Sequence, residues 1–232
     1  MRQPPPVILV HGAYHGAWCW DRVVPHLTNA GLEALAVDLP GHGASPLPLT
    51  DLYGDAAHVR SIIAGFDEPP VVVGHSYGGA VITEAAIGGE VAHMLFVAAV
   101  APEAGKNAAG QPAGEAEPPT AGDVTPVMPE RSSLVEALYH DCPPEEVAAA
   151  GAKLVGQHPL SMQQPVHEAT WRSVPSTYLV CTEDRVIPAA VQRRIAGKMG
   201  ASVELRSGHS PFFSCPKELA DIIAGVAEAA RS

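Results

Sequence analysis

Ser76, Asp184 and His209 are the residues whose types and places in the chain could do chemistry together. A serine hydroxyl is a weak nucleophile near neutral pH. It needs a histidine to take its proton, and the histidine needs a carboxylate to orient it and stabilise its cation. Ser76 is the centre of Gly74-His75-Ser76-Tyr77-Gly78, which follows the apolar run Val71-Val72-Val73 and precedes Ala80-Val81-Ile82-Thr83-Glu84-Ala85-Ala86-Ile87. These read as a buried strand, a sharp turn and a helix, an elbow that lifts the hydroxyl to the carboxyl edge of a sheet. The turn puts Ser76 in a strained backbone conformation, and only glycine at 74 and 78 lets strand and helix pass so closely. Gly79 and Ala80 keep the start of the helix thin. A Gly-x-Ser-x-Gly run also arises by chance in a glycine-rich chain, its serine merely capping the next helix; the strand before and the helix after favour the elbow.

Asp184 lies in Cys181-Thr182-Glu183-Asp184-Arg185-Val186-Ile187-Pro188, just beyond the strand that ends at Cys181, where a loop carboxylate faces the same sheet edge as Ser76. Glu183 competes for the role. Asp184 is favoured because it is further from the strand and precedes the basic residue and the turn to the next helix. Among eleven histidines, His209 stands apart because Ser207-Gly208-His209-Ser210-Pro211 follows the last strand. His42, His58, His93, His140, His158 and His167 read as surface or packing residues. His75 is expected to point away from the reacting face and make a structural hydrogen bond at the sheet edge. Acyl transfer also needs donors for the developing oxyanion. The N–H of Tyr77, at the start of the helix, is one, and the N–H of Ala13 in His11-Gly12-Ala13 is the other, with Gly12 allowing the loop its geometry.

The elements that must position these groups recur regularly. Apolar runs at Val7 to Val10, Ala34 to Val37, Val71 to Val73, Met94 to Val100, Thr177 to Cys181 and Ser202 to Leu205 are separated by helix-length segments, which implies crossover connections and a mostly parallel sheet flanked by helices. Trp20 to Ala30 with Gly31 after it, Ile187 to Met199 with Gly200 after it, and Pro216 to Ala230 read as helices. Between about residues 101 and 175 the regularity breaks. Gly105 to Pro129 reads as loop, and Ser132 to Tyr139 and Pro144 to Val155 read as helices. This partly helical insertion is expected to be a small lid over the site within a single α/β domain spanning 1–232.

Composition narrows the partners. With 14 basic against 25 acidic residues the formal charge is −11, which argues against nucleic acid or an anionic membrane and leaves a small neutral substrate. No run is long enough to cross a bilayer, and Met1-Arg2-Gln3-Pro4-Pro5-Pro6 leads into an apolar run too short for an export signal, so a cytoplasmic location is expected. Cys19, Cys142, Cys181 and Cys215 lack metal-binding or redox spacing and are expected to be reduced thiols. No cofactor or metal is implied, and the oligomeric state stays open.

His11-Gly12-Ala13-Tyr14-His15-Gly16-Ala17-Trp18-Cys19-Trp20, together with Gly74-His75-Ser76-Tyr77-Gly78-Gly79 and Cys181-Thr182-Glu183-Asp184, resembles the branch of the α/β-hydrolase superfamily that contains plant methylesterases, hydroxynitrile lyases and related bacterial esterases. The resemblance spans nearly the whole chain outside the insertion. It implies the chain order serine, acid, histidine, which Ser76, Asp184 and His209 satisfy. The lyases of this branch carry threonine where this chain has Gly12 and lysine where it has Ser210, so the comparison implies a serine carboxylesterase acting on small esters through an acyl-enzyme. A hydroxynitrile lyase or carbon–carbon bond hydrolase on the same triad is the nearer rival. A non-catalytic small-molecule binding protein on the same fold is the more distant one.

Overall fold

The structure is a computed structural model that describes residues 4–112 and 124–231. Residues 1–3 of the amino-terminal run, and 113–123 of the expected loop Gly105 to Pro129, lie outside the described residues. Val7–Val10 (β1), Ala34–Val37 (β2), Val71–His75 (β3), His93–Val97 (β4), Ser176–Cys181 (β5) and Ala201–Leu205 (β6) form one sheet in the order β2-β1-β3-β4-β5-β6. Every neighbouring pair is parallel.

Successive side chains of a strand point to opposite faces, so an unbroken apolar run is stable only where both faces are covered. That is how the central strands are used. Val7, Leu9, Val71, Val73, Leu95, Val97 and Leu179 pack on one face, with helices Val24–Asn29 (α1) and Pro216–Ala229 (α8) over them. Ile8, Val10, Val72, Met94, Phe96, Tyr178 and Val180 pack on the other, under Leu52–Ile63 (α2), Gly78–Ala85 (α3) and Ala189–Ala196 (α6). The two outer strands, β2 and β6, are partly exposed.

Several element bounds differ from the sequence expectations. β4 stops at Val97, short of Val100, because Ala98 adopts a left-handed φ of 44°. The stretch Trp20 to Ala30 divides into a 3-10 turn at Ala17–Trp20 and α1. Pro25 falls in the first turn of α1, where its missing N–H costs nothing. Gly31 ends that helix at φ 81° as expected. Ile187 to Met199 shortens to α6, which starts after Pro188, and its carboxyl cap is Gly197 rather than Gly200. α2 occupies the gap between β2 and β3 that the sequence reading left without a helix; Asp51 caps it by accepting from Tyr53 N and Gly54 N at 3.1 and 3.0 Å. Pro211–Ser214 (α7) is a single turn, also unanticipated.

The insertion between β4 and β5 contains Arg131–Tyr139 (α4), Pro144–Lys153 (α5) and a 3-10 turn at Thr170–Arg172. α5 ends two residues short of the expected Val155. The four cysteines are free thiols. Among the described residues no helix is long and apolar enough to cross a membrane.

Candidate active site

In a parallel sheet all strands end on the same edge, and the chain leaves β1 toward β2 on one side but leaves β3 toward β4 on the other. Such a switch point opens a crevice at the carboxyl edge. Ser76 sits there, directly after β3, with φ 52°. The left-handed conformation costs an L-residue about 1–2 kcal/mol, and close packing enforces it. A Cβ at Gly74 would lie 2.6 Å from Gly78 O, and one at Gly78 would lie 2.7 Å from His11 O. Ser76 N donates to Val97 O at 3.2 Å, and Ser76 O accepts from Val100 N at 3.2 Å, tying the elbow to the segment after β4.

Asp184 and His209 meet, although 25 residues apart in sequence. Asp184 Oδ2 accepts from His209 Nδ1 at 2.7 Å, and both side chains are essentially buried. The carboxylate is saturated: Oδ1 accepts from Val186 N (2.7 Å) and Ile187 N (3.0 Å), and Oδ2 accepts also from Gln192 Nε2 (2.8 Å). Gln192, fully buried on α6, itself accepts from Cys181 N at 2.9 Å and donates to Ile187 O at 2.7 Å. Since Nδ1 of His209 is committed to Asp184, its basic nitrogen is Nε2, a buried atom with no hydrogen-bond partner among the described residues. Glu183 turns outward and pairs with Arg206 Nε at 2.7 Å. The structure therefore brings Asp184, not Glu183, to His209.

The loop after β1 lies against the elbow. Gly12 needs its small size rather than an unusual φ, correcting the expectation: a Cβ there would lie 2.8 Å from His75 Nδ1 and 2.9 Å from Ser76 Cβ. The left-handed residue is Tyr14, at φ 69°. Neither the Ala13 N–H nor the Tyr77 N–H donates a hydrogen bond to the protein among the described residues. His15 Nδ1 donates to Ala13 O at 2.8 Å. Burial lowers the His15 pKa to about 4, so its ring is neutral and Nε2 is an acceptor, which makes the Tyr139 hydroxyl the donor in their 2.7 Å bond.

His75 makes the expected structural bond, donating Nε2–H to His209 O at 2.8 Å. Its ring packs beside the His209 ring, with centroids 4.7 Å apart, rather than standing clear of the site. Burial, and then the neighbouring His209, push its pKa well below the usual value, so the His75 ring is neutral. Of the histidines set aside as surface or packing residues, His42 and His158 are buried, and His42 Nε2 lies 3.1 Å from Gln157 Oε1.

Sequence reasoning did not single out Gln192, Tyr139, Gln157 or Asp55. Asp55 on α2 accepts from the Tyr77 hydroxyl at 2.8 Å and the Thr50 hydroxyl at 2.7 Å. Tyr139 and Gln157 act across more than 100 residues of sequence, and no motif marks any of the four. The one available signal was Asp55 itself, a carboxylate on the apolar stripe Leu52, Ala56, Val59, Ile63 of an otherwise ordinary helix.

Comparison with known proteins agrees with this architecture. The model of the "Alpha/beta hydrolase family" matches residues 7–222. The chain is 33% identical to the "Alpha/beta hydrolase nvfD" of Aspergillus novofumigatus (strain IBT 16806), covering 91% of this chain and 92% of that protein. It is 30% identical to "Esterase PIR7B" of Oryza sativa subsp. japonica, covering 95% and 94%. Among solved structures, a pyrethroid hydrolase from Sphingobium faniae JZ-2 superposes with a TM-score of 0.81 at 28% identity, covering 97% of this chain and 98% of that one. The chain belongs to the α/β-hydrolase family, in the branch its motifs resemble, where putative methylesterases of Arabidopsis thaliana are also found.

Proposed function

We propose that the protein is a serine carboxylesterase that hydrolyses small esters through an acyl-enzyme. The observation that carries this reading is the buried Asp184–His209 pair, whose remaining ring nitrogen is unpartnered, on the same sheet edge as a serine held in a left-handed elbow. The esterase among its relatives supports the same class of reaction.

In this reading Ser76 Oγ attacks the acyl carbon while His209 Nε2 takes its proton. Asp184 fixes the Nδ1–H tautomer and stabilises the imidazolium. The N–H groups of Ala13 and Tyr77 receive the oxyanion, both being without another partner among the described residues. His209 returns its proton to the leaving alcohol, and a water then attacks the acyl-enzyme with His209 again as base, releasing the acid and regenerating Ser76. An N–H that already served another carbonyl would have to break that bond in the transition state; these two do not.

The test is Ser76→Ala, measured by p-nitrophenyl ester turnover and by fluorophosphonate labelling. A fall of several orders of magnitude in kcat, with labelling abolished and the melting temperature preserved, is expected. Near-normal turnover in Ser76→Ala would refute the assignment.

A further inference from the structure

The insertion grips two consecutive residues, Tyr14 and His15, of the loop that supplies Ala13. Tyr139, the last residue of α4, donates to His15 Nε2 at 2.7 Å, and the other face of that ring holds Ala13 O at 2.8 Å. Val155 N donates to Tyr14 O at 3.0 Å. Gln157 Oε1 accepts from Tyr14 N at 3.4 Å. Tyr14 is the left-handed residue of this loop, so a strained residue is held from outside on both its N–H and its C=O. A strained conformation persists only where its surroundings over-determine it.

Gln157 also reaches toward the elbow. Its Nε2 donates to Ser161 Oγ at 3.1 Å, and Ser161 in turn lies beside the Tyr77 hydroxyl. Tyr77 donates onward to Asp55 Oδ2 at 2.8 Å. Gln157, Tyr139, Ser161 and His15 are all nearly or fully buried, so water cannot replace these partners cheaply. One side of the network therefore ends on the Ala13–Tyr14 peptide, which adjoins the peptide that carries the Ala13 N–H, and the other on the residue that carries the second N–H without a partner among the described residues.

We propose that Tyr139 and Gln157 are positioning residues for the oxyanion hole: the insertion fixes the orientation of the Ala13 and Tyr77 N–H groups rather than only covering the substrate. The inference rests on the esterase reading above. A substrate roof contributes to binding of ester and transition state alike, whereas a brace on the oxyanion donors contributes mainly where charge develops on the carbonyl oxygen. The two roles are thus separable in kinetics.

The experiment compares wild type, Tyr139→Phe, Gln157→Leu and the double variant. Each is assayed for kcat and KM on a p-nitrophenyl ester and for inhibition by a trifluoromethyl ketone, which forms a tetrahedral adduct with a nucleophilic serine. Displacing a donor by a fraction of an ångström to 1 Å is expected to lower kcat by about 10- to 100-fold, with KM within about twofold of wild type. Affinity for the ketone should fall by the same factor as kcat/KM. The double variant should lose less than the product of the single losses, because both changes release one loop. Wild-type kcat and ketone affinity in both single variants, or a loss confined to KM, would overturn the proposal. Should Gln157→Leu fail to fold, Tyr139→Phe keeps its ring packing and carries the test alone. Ser76→Ala separates the two readings: if it is inactive while Tyr139→Phe and Gln157→Leu are unimpaired, the esterase assignment stands and the bracing role falls.

Discussion

At the scale of single residues, Asp184 and Glu183 are adjacent in sequence yet face opposite environments. Asp184 accepts four hydrogen bonds in a buried site, while Glu183 pairs with Arg206 on the surface. Asp184→Asn should therefore lower kcat by about 10⁴-fold through the wrong histidine tautomer. Glu183→Gln, which loses an exposed ion pair, should leave both rate and stability nearly unchanged. Steady-state kinetics on the two purified variants decide the matter, and a worse Glu183→Gln would displace Asp184 from its role. Gly12 and Ser210 carry a second prediction. No side chain fits at position 12 without moving His75 or Ser76, and Ser210 contributes no fixed charge to hold a departing cyanide. The protein should hydrolyse aryl esters and fail to release cyanide from mandelonitrile, the loss of even one electrostatic donor being worth about 3 kcal/mol. Serine-dependent cyanide release faster than ester hydrolysis would reverse that conclusion.

At the scale of elements, α2 and the elbow are joined by Asp55 and the Tyr77 hydroxyl across the helix pair α2 and α3. Burial raises the Asp55 pKa from 3.8 to about 7, against the opposing hydrogen bonds from Thr50 and Tyr77. The sign follows from proton counting. Between these two values the folded state holds the proton and the unfolded state does not, so this group's stabilising contribution is present below about pH 4 and is lost as pH rises through about 7. The full span corresponds to up to about 4 kcal/mol. Asp55→Asn is neutral at every pH and can still accept from Tyr77. Its melting temperature should therefore rise relative to wild type between pH 5 and pH 8, which differential scanning calorimetry would read. A difference independent of pH would show that Asp55 is ionised throughout.

At the scale of the whole molecule, the carboxyl edge is a dense group of neutral histidines. His11 and His75 are held well below the usual value by burial, and His15 is lowered to about 4 from the same cause. For a base with a depressed folded pKa the unfolded state binds more protons, so stability is full above about pH 6.5 and falls as pH drops toward 4. For His15 alone that loss amounts to about 3 kcal/mol, comparable with a large share of a typical domain's stability. Asp55 acts in the opposite direction over part of the same range, but three histidines outweigh one carboxyl. The melting temperature should consequently drop steeply below pH 6, and His15→Phe, which cannot be protonated, should show a shallower acid limb than wild type. An acid limb unchanged by that substitution would locate the pH dependence elsewhere. The same substitution removes the acceptor for Tyr139, so it should also lower kcat at pH 8.

What the sequence determined by itself is what local pattern encodes. Unbroken apolar runs between helix-length segments specified a parallel sheet covered on both faces, as the two packed faces of β1, β3, β4 and β5 show. The spacing of Gly74, Ser76 and Gly78 specified an elbow, because backbone clearance is a property of neighbouring residues. Helix ends were less legible: Pro188 and Gly197, rather than Ile187 and Gly200, bound α6, since caps compete along the chain and tertiary contacts choose among them. Asp184 was favoured over Glu183 from its place in the loop, but what sets it against His209 is the tertiary structure, and the braces at Gln192, Tyr139, Gln157 and Asp55 were decided only there. Two adjacent carboxylates have the same charge and nearly the same reach. Which one is buried against His209 depends on strands β5 and β6 lying side by side, and the partners of Tyr139 and Gln157 depend on elements more than 100 residues apart closing over one edge of the sheet, as Tyr139 does on His15. Desolvation then acts on whatever that closure encloses, fixing histidine tautomers and carboxyl protonation that no pattern in the chain records.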